Sequence, residues 1–382
     1  MPSGVFGLRI MQSIVTLLPT WSQPRYWKRI TGLNRYGISI TPLYFSRAYF
    51  NGDARGVDGH CLGCVQHGRY LFRIMILVRS IPSVRKQLRI NDGLYAFGLD
   101  MALLALFGNI GIGKPVFYEI GDIRQQQLAK NLKGKVTRLV ERWVAHRTKK
   151  IVVTARGFAD EYLVRWIGVP EERIRIIENR LDLPSAQRPQ RTEQLDSPSA
   201  PLVIGYFGVL RCPWTLATLK AITQKSGGRI RIHIHGYALG VDVSKEAIRD
   251  EGLEYFGEYR SPDDLAGMYE AVDIVWATYP APRATREEGN WMWARTNRFY
   301  EACYFRRPMI VLAGGDEGQE VAERGIGYLV HLRPPEEAAA DIIQALTPDN
   351  IAHWHANVSL VPDEVCVYTD EHEKLGELLK CQ

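Results

Sequence analysis

Short runs of β-branched and aromatic residues alternate with longer stretches of helical period along this whole chain. In the first half the pattern predicts strands at 13–18, 38–44, 93–97, 115–120, 150–154 and 173–177. Helices fall between them at 25–36, 70–88, 100–109, 130–147 and 157–167. In the second half strands are predicted at 202–206, 230–235, 253–256, 274–277 and 309–313, and helices at 213–224, 262–271, 296–304 and 318–324. Regular alternation of this kind marks parallel α/β units. No short internal repeat is visible, so any duplication is one of architecture.

The polar stretch 183–201 (LPSAQRPQRTEQLDSPSAP) holds four prolines and reads as an interdomain linker, after which PLVIGYFGV opens a new domain. The predicted organisation is a first domain over 1–183, a linker over 184–200 and a second domain over 201–362. A closing segment, 363–382, has a helix over 369–380 that is available to pack back on the first domain. Thr369 is the candidate cap of that helix.

With 382 residues and 46% hydrophobic content the chain fills two ordinary cores, which excludes wholesale disorder. Cys61, Cys64, Cys212, Cys303, Cys366 and Cys381 are scattered, which fits a reducing compartment. No run is long enough to span a bilayer, since 101–112 is too short and Asp100 stands at its start. Residues 10–18 resemble the core of a signal peptide, but no small-residue cleavage site follows, and they read as the first strand. Charge is uneven. Residues 1–190 carry 29 Lys+Arg against 13 Asp+Glu, whereas the remainder carries 19 against 29. The basic half is a candidate for an anionic membrane surface; the bland alternative is a solvated basic face. No nucleic-acid motif accompanies it.

Several segments carry candidate chemistry. In 254–276 (EYFGEYRSPDDLAGMYEAVDIVW) a strand meets Gly257, and Ser261 is the candidate N-cap of a helix with Pro262 at its first position and Asp264 three residues past the cap. Gly205 to Arg211 (GYFGVLR) precedes Pro213 and a helix, which suits backbone N–H groups approaching a phosphate at a helix N-terminus. Thr296 to Ala302 (TNRFYEA) precedes the buried strand RPMIV. Arg298 and Glu301 alone also fit an ordinary i, i+3 ion pair. The strand of PVFYEIGDIR ends at Gly121-Asp122, where the aspartate either caps a helix or serves as a base. The pattern at His60, Cys61, Cys64 and His67 lacks a second half and is an incomplete zinc set. No Asp-x-Asp motif is present, and His233 and His235 read as strand residues.

In their order and spacing these segments resemble the large bacterial family of GT-B glycosyltransferases that build lipopolysaccharide, capsule and exopolysaccharide (the glycosyltransferase family 4-like, or group 1, enzymes). The resemblance covers about residues 90–335 and extends to the first 90 only by architecture. It implies an α/β fold of two Rossmann-like, doubly wound parallel-sheet domains facing a cleft. It also implies transfer of a sugar from a nucleoside-diphosphate sugar to a saccharide acceptor, lipid-linked in type, by a cytoplasmic enzyme peripheral on the inner face of the membrane. No metal or other cofactor is implied.

Glu301 matches the glutamate that accepts hydrogen bonds from the nucleotide ribose, and Arg298 the basic residue facing the diphosphate. Gly208, Arg211, Gly236, Tyr259 and Asn297 fall at donor-facing positions. Asn179 and Asp182 match a family turn whose proline and glycine are replaced here. Asp122 stands where inverting relatives carry the base that takes the acceptor's proton. Thr20, Trp21, Ser22 and Arg25, on the loop after the first strand, are the expected acceptor contacts. Two departures are plain. Trp293 occupies the place of a second glutamate, for which Glu287 or Glu288 is the available substitute. Leu216 replaces a phosphate-binding lysine, for which Arg298 or Lys220 is available. The same fold also accommodates a nucleotide-sugar 2-epimerase and a catalytically silent binding protein, and both stand as alternatives.

Overall fold

The structure, a computed structural model, describes residues 11–21, 23–46, 58–65, 70–184, 187–189, 201–241, 252–278 and 290–380. Ser22, His67, Glu287, Glu288, Cys381 and most of the linker lie outside the described residues. The chain divides into two compact units, Met1–Asn179 together with Thr369–Gln382, and Arg180–Tyr368.

The first unit runs β1 (Ser13–Leu18), α1 (Pro24–Arg35), β2 (Ser39–Ser46), β3 (His60–Cys64), α2 (Tyr70–Ile90), β4 (Gly93–Phe97), α3 (Leu99–Gly108) and β5 (Val116–Ile120). It continues through α4 (Gln125–Leu128), α5 (Leu132–Arg147), β6 (Lys150–Val153), a π-helix over Phe158–Ile167 and β7 (Ile174–Ile176). The strands form a seven-stranded sheet in the order β3-β2-β1-β4-β5-β6-β7, paired in parallel throughout. β4 and β5 are buried along their whole length, which is why, Glu119 of β5 apart, they read as apolar runs and not as alternating ones. β3 was not among the predicted strands. Its sequence HCLGC has no apolar run, and it is set as an edge strand by pairing with β2.

The second unit holds β8 (Leu202–Phe207), α6 (Pro213–Ser226), β9 (Ile230–His235), β10 (Leu253–Gly257), α7 (Leu265–Glu270), β11 (Ile274–Trp276) and α8 (Asn290–Trp293). It then runs α9 (Asn297–Tyr304), β12 (Met309–Leu312), α10 (Asp316–Arg324), β13 (Gly327–Val330), α11 (Pro335–Ala345), α12 (Pro348–Ser359) and α13 (Asp363–Cys366). Its six parallel strands are ordered β10-β9-β8-β11-β12-β13. Both sheets therefore grow outward in one direction and then jump back across their first strand. The jump lies between β1 and β4 in one unit and between β8 and β11 in the other. Helices leave such a point on opposite faces, and a crevice opens at the carboxyl ends of the two strands.

The closing helix α14 (Glu371–Lys380) belongs to the first unit and packs on α1. The approach is close: a Cβ on Gly376 would stand 2.0 Å from the Tyr36 ring. Lys380 covers that ring at 4.0 Å and donates to the Tyr36 carbonyl at 3.2 Å.

Two predicted helix starts are corrected. α7 begins at Leu265, not Pro262, and residues 261–264 form a turn in which the Asp264 carboxylate accepts the Arg260 amide at 2.8 Å. With Asp264 engaged there, Ser261 caps nothing. α14 begins at Glu371, and Asp370 rather than Thr369 stands at its N-cap, because the Asp370 carbonyl accepts the first intrahelical bond, from the Lys374 amide at 2.9 Å.

Candidate functional site

In the second unit the crevice lies at the ends of β8 and β11, and α9 delivers side chains to it. Thr296 is the N-cap of α9, its hydroxyl accepting the Phe299 amide at 3.1 Å. Capping fixes the first turn, and the first turn carries Arg298. The Arg298 guanidinium donates to the Trp276 carbonyl at 3.2 Å and the Thr278 carbonyl at 2.9 Å, at the end of β11. Its other side lies over the Tyr206 ring of β8, 4.9 Å from the centroid. Arg298 thus straddles the two strands that bound the crevice. A guanidinium has five donors, so the two carbonyls leave donors for an anion.

One turn further along α9, Glu301 is buried and accepts a hydrogen bond from the Tyr269 hydroxyl at 2.7 Å. Tyr269 is fully buried between Phe207 and Phe305, with ring centroids 4.6 Å and 4.8 Å away. Burial, and then the Glu301 charge, push the Tyr269 phenol well above its ordinary value, which keeps it a donor. Tyr259 is pushed up for the same two reasons. The predicted Tyr259, Arg298 and Glu301 are therefore brought together, and Tyr206 and Tyr269 join them.

The glycines mark the ends of neighbouring strands. Gly208 follows β8 with φ 119°, and Gly236 follows β9 with φ 132°. The Gly208 amide donates to the His235 carbonyl at 2.8 Å, and a Cβ on Gly236 would stand 1.9 Å from the Gly208 carbonyl oxygen. Only glycine fits both the space and the dihedral at Gly236. Arg211 is exposed just before α6, and Asn297 is exposed at the first position of α9.

Besides Tyr206 and Tyr269, sequence reasoning missed a further residue of this region. Glu317, in the first turn of α10, is buried and accepts the Thr296 amide and, at 3.4 Å, the Thr296 hydroxyl. Burial outweighs those bonds and the neighbouring Arg298 and Arg295 charges, and raises its carboxyl to about 7. The available signal was the Gly314-Gly315 pair after a strand, immediately before an acidic first turn.

In the first unit the crevice lies at the ends of β1 and β4. Thr20 and Trp21 follow β1 and both are buried. Trp21 stacks on Tyr44 at 4.2 Å and meets Trp27 edge-on at 4.2 Å, so its ring serves packing. Arg25 lies over Gly121, where a Cβ would meet its guanidinium at 1.4 Å. Burial works to lower the Arg25 pKa, and the charges of Tyr26, Glu119 and Asp122 together turn the shift upward. The predicted Arg25 and Asp122 are thus electrostatic neighbours, with Asp122 exposed at the end of β5.

Beneath them is a buried ion pair that sequence reasoning missed. Arg29 and Glu119 are both fully buried, 3.2 Å apart. Arg29 also donates to the Ile177 carbonyl at 2.7 Å, Tyr95 donates to Glu119, and the Arg25 Nε lies 3.5 Å from Glu119. Lys28 donates to the Asn179 carbonyl at 3.0 Å.

Two parallel sheets of this strand order, each with its crevice at the jump, make up the GT-B fold of bacterial glycosyltransferases. WaaG, a glycosyltransferase involved in lipopolysaccharide biosynthesis, has a similar structure, with a TM-score of 0.65 and 11% identity over 97% of this chain and 100% of WaaG. HepE of Anabaena, solved in complex with UDP and glucose, gives a TM-score of 0.67 and 15% identity over 97% of this chain and all of HepE. In sequence, the chain is similar to the succinoglycan biosynthesis protein ExoL of Rhizobium meliloti (strain 1021). The two are 29% identical over 368 residues, covering 91% of this chain and 88% of ExoL. No protein-family model matches the sequence.

Proposed function

We propose that this protein is a glycosyltransferase of exopolysaccharide assembly, moving a sugar from a nucleoside-diphosphate donor to a lipid-linked saccharide. The observation that carries the proposal is α9, which holds Arg298 at the β8–β11 crevice and Glu301 one turn away. A diphosphate needs a fixed cation and a ribose needs a fixed carboxylate, and both are anchored by the protein before any ligand arrives. Gly208 leaves open space at the end of β8 for the phosphates, with Arg211, Asn297 and Tyr259 at the margin. HepE binds UDP, which makes UDP the first nucleotide to test.

In this reading Asp122 takes the proton of the acceptor hydroxyl as the anomeric carbon is attacked and the nucleoside diphosphate leaves. Arg25 beside it steadies the charge and, with Thr20 after β1, borders the acceptor. The diphosphate charge is met by Arg298 and backbone N–H groups, so the reaction proceeds without a metal. The enzyme works on the inner face of the membrane, to which its basic first half is drawn.

The test is a thermal-shift screen of nucleoside diphosphates. A ligand at 100 times its Kd adds about 2.7 kcal/mol of apparent stability. UDP, or another nucleoside diphosphate, is expected to raise the unfolding midpoint of the wild type, and Glu301→Ala is expected to abolish the rise. A wild type that responds to no nucleoside diphosphate would refute the proposal. Transfer itself is read as sugar appearing in the lipid fraction with release of free nucleotide, an outcome that excludes the epimerase. Asp122→Asn is expected to slow it by about 10²–10⁴-fold; an unchanged rate removes Asp122 from the chemistry.

A further inference from the structure

Helix α5 is built inside out. Its inward face carries Gly134, Val144, Ala145 and a carboxylate, Glu141, which is fully buried. Tyr118 donates to Glu141 at 2.9 Å, Gln127 donates at 2.6 Å, and Tyr162 donates as well. The outward face carries Leu132, Val136, Leu139 and Trp143, which are 76%, 51%, 68% and 42% exposed. Their spacing of four, three and four residues puts all four on one narrow stripe. Phe107, at the end of α3 and 47% exposed, stacks on Trp143 at 6.3 Å and widens the stripe. A helix whose packing needs were limited to its own domain would turn these side chains the other way. A contiguous exposed apolar face of this kind marks a binding surface.

The charges beside the stripe identify the occupant. On a helical projection Lys135 and Arg142 line one side of it, Lys133 and Arg147 the other, and all four are exposed. Arg147 covers the Trp143 ring at 5.5 Å. From residue 123 to 140 the sequence has no acidic residue, and neither does α2 from 70 to 90, which packs against α3 as α3 packs against α5. A second copy would bring this basic surface against itself, where like charges repel. A bilayer with anionic head groups satisfies both parts: apolar side chains enter the acyl boundary while flanking lysines and arginines stay at the phosphates.

We infer that α5 is the membrane-docking element of this protein, lying in the plane of an anionic bilayer with Leu132, Val136, Leu139 and Trp143 inserted. The inference rests on the membrane placement proposed above and adds to it a definite surface and an apolar contribution. Bulk charge alone gives neither.

The test is flotation of the full chain with vesicles of equimolar phosphatidylcholine and phosphatidylglycerol, and with vesicles of phosphatidylcholine alone. The wild type is expected to float with the mixed vesicles and to stay down with the neutral ones. The variant Leu132→Ala/Val136→Ala/Leu139→Ala/Trp143→Ala keeps every charge and uses the strongest helix former. It is expected to lose mixed-vesicle binding at least about tenfold. Its unfolding midpoint and its nucleotide-induced shift stay those of the wild type. A folded variant that floats like the wild type overturns the α5 assignment and leaves the membrane placement standing. A wild type that floats with neither vesicle overturns both, while the nucleotide shift judges the transferase reading separately. If the wild type sediments as a dimer that the variant splits, with flotation unchanged, the stripe joins two copies and the assignment is wrong.

Discussion

Two of the buried carboxylates, Glu301 and Glu119, sit in contrasting surroundings. Glu301 accepts the Tyr269 phenol at 2.7 Å, out of reach of bulk water. A hydrogen bond to a charged group contributes about 1.5–3 kcal/mol. Tyr269→Phe is therefore expected to weaken nucleoside-diphosphate binding by about tenfold or more while the fold persists, as isothermal titration would show. Glu119 has a structural part, locked to Arg29 with both side chains out of water. Removing one member of such a pair leaves the other buried and uncompensated, at a cost of about 3–5 kcal/mol. Arg29→Met is expected to lower the denaturant midpoint accordingly; an unchanged midpoint would mean that Arg25 alone neutralises Glu119. The pair Arg298 and Glu301 was legible in the sequence, and the pair Arg29 and Glu119 was not. Arg298 and Glu301 sit within one helical turn and carry their spacing with them. Arg29 and Glu119 are 90 positions apart, and Tyr269 and Glu301 are 32 apart, so only folding makes partners of them.

At the scale of elements, the strand ends and helix starts do the positioning. Gly236→Ala forces a methyl group against the Gly208 carbonyl in a backbone conformation that L residues avoid. It is expected to reduce nucleotide binding first and stability second, since the strain falls on the loops after β8 and β9; titration and thermal unfolding of one sample separate the two. The starts of α9 and α10 are tied together by Glu317. Its carboxyl is raised from about 4.5 to about 7, so the fold prefers it protonated. The stabilisation is complete below pH about 4.5 and is lost as pH rises through about 7, amounting to about 3 kcal/mol. Glu317→Gln is expected to flatten the pH dependence of the denaturant midpoint in that window; a wild-type slope in the variant would place the titration elsewhere. The sequence pattern placed α9 to within one residue of its start, and the structure adds Thr296 as its cap. The pattern misplaced the start of α7, because Asp264 serves the Arg260 amide in a turn that no local rule anticipates.

For the whole molecule, the uneven charge becomes a prediction of its own. The first unit gathers most of the basic excess, and no helix among the described residues is long and apolar enough to cross a membrane. Association with anionic vesicles is expected to weaken as ionic strength rises and the Debye length falls from about 10 Å at 0.1 M to about 3 Å at 1 M. Salt-independent flotation would refute the electrostatic part.

Periodicity along the chain sufficed for the α/β alternation, most strand positions and the helix that carries Arg298 and Glu301. Each of these is written in periodicity or in spacing within a turn, and periodicity survives without tertiary context. The tertiary structure alone decided which strands are neighbours, that α14 returns to the first unit, that Glu141 faces inward while Trp143 faces water, and which phenol or arginine answers each buried carboxylate. Those outcomes depend on the desolvation of groups far apart in the chain, and desolvation is a property of the folded surface that no local window contains.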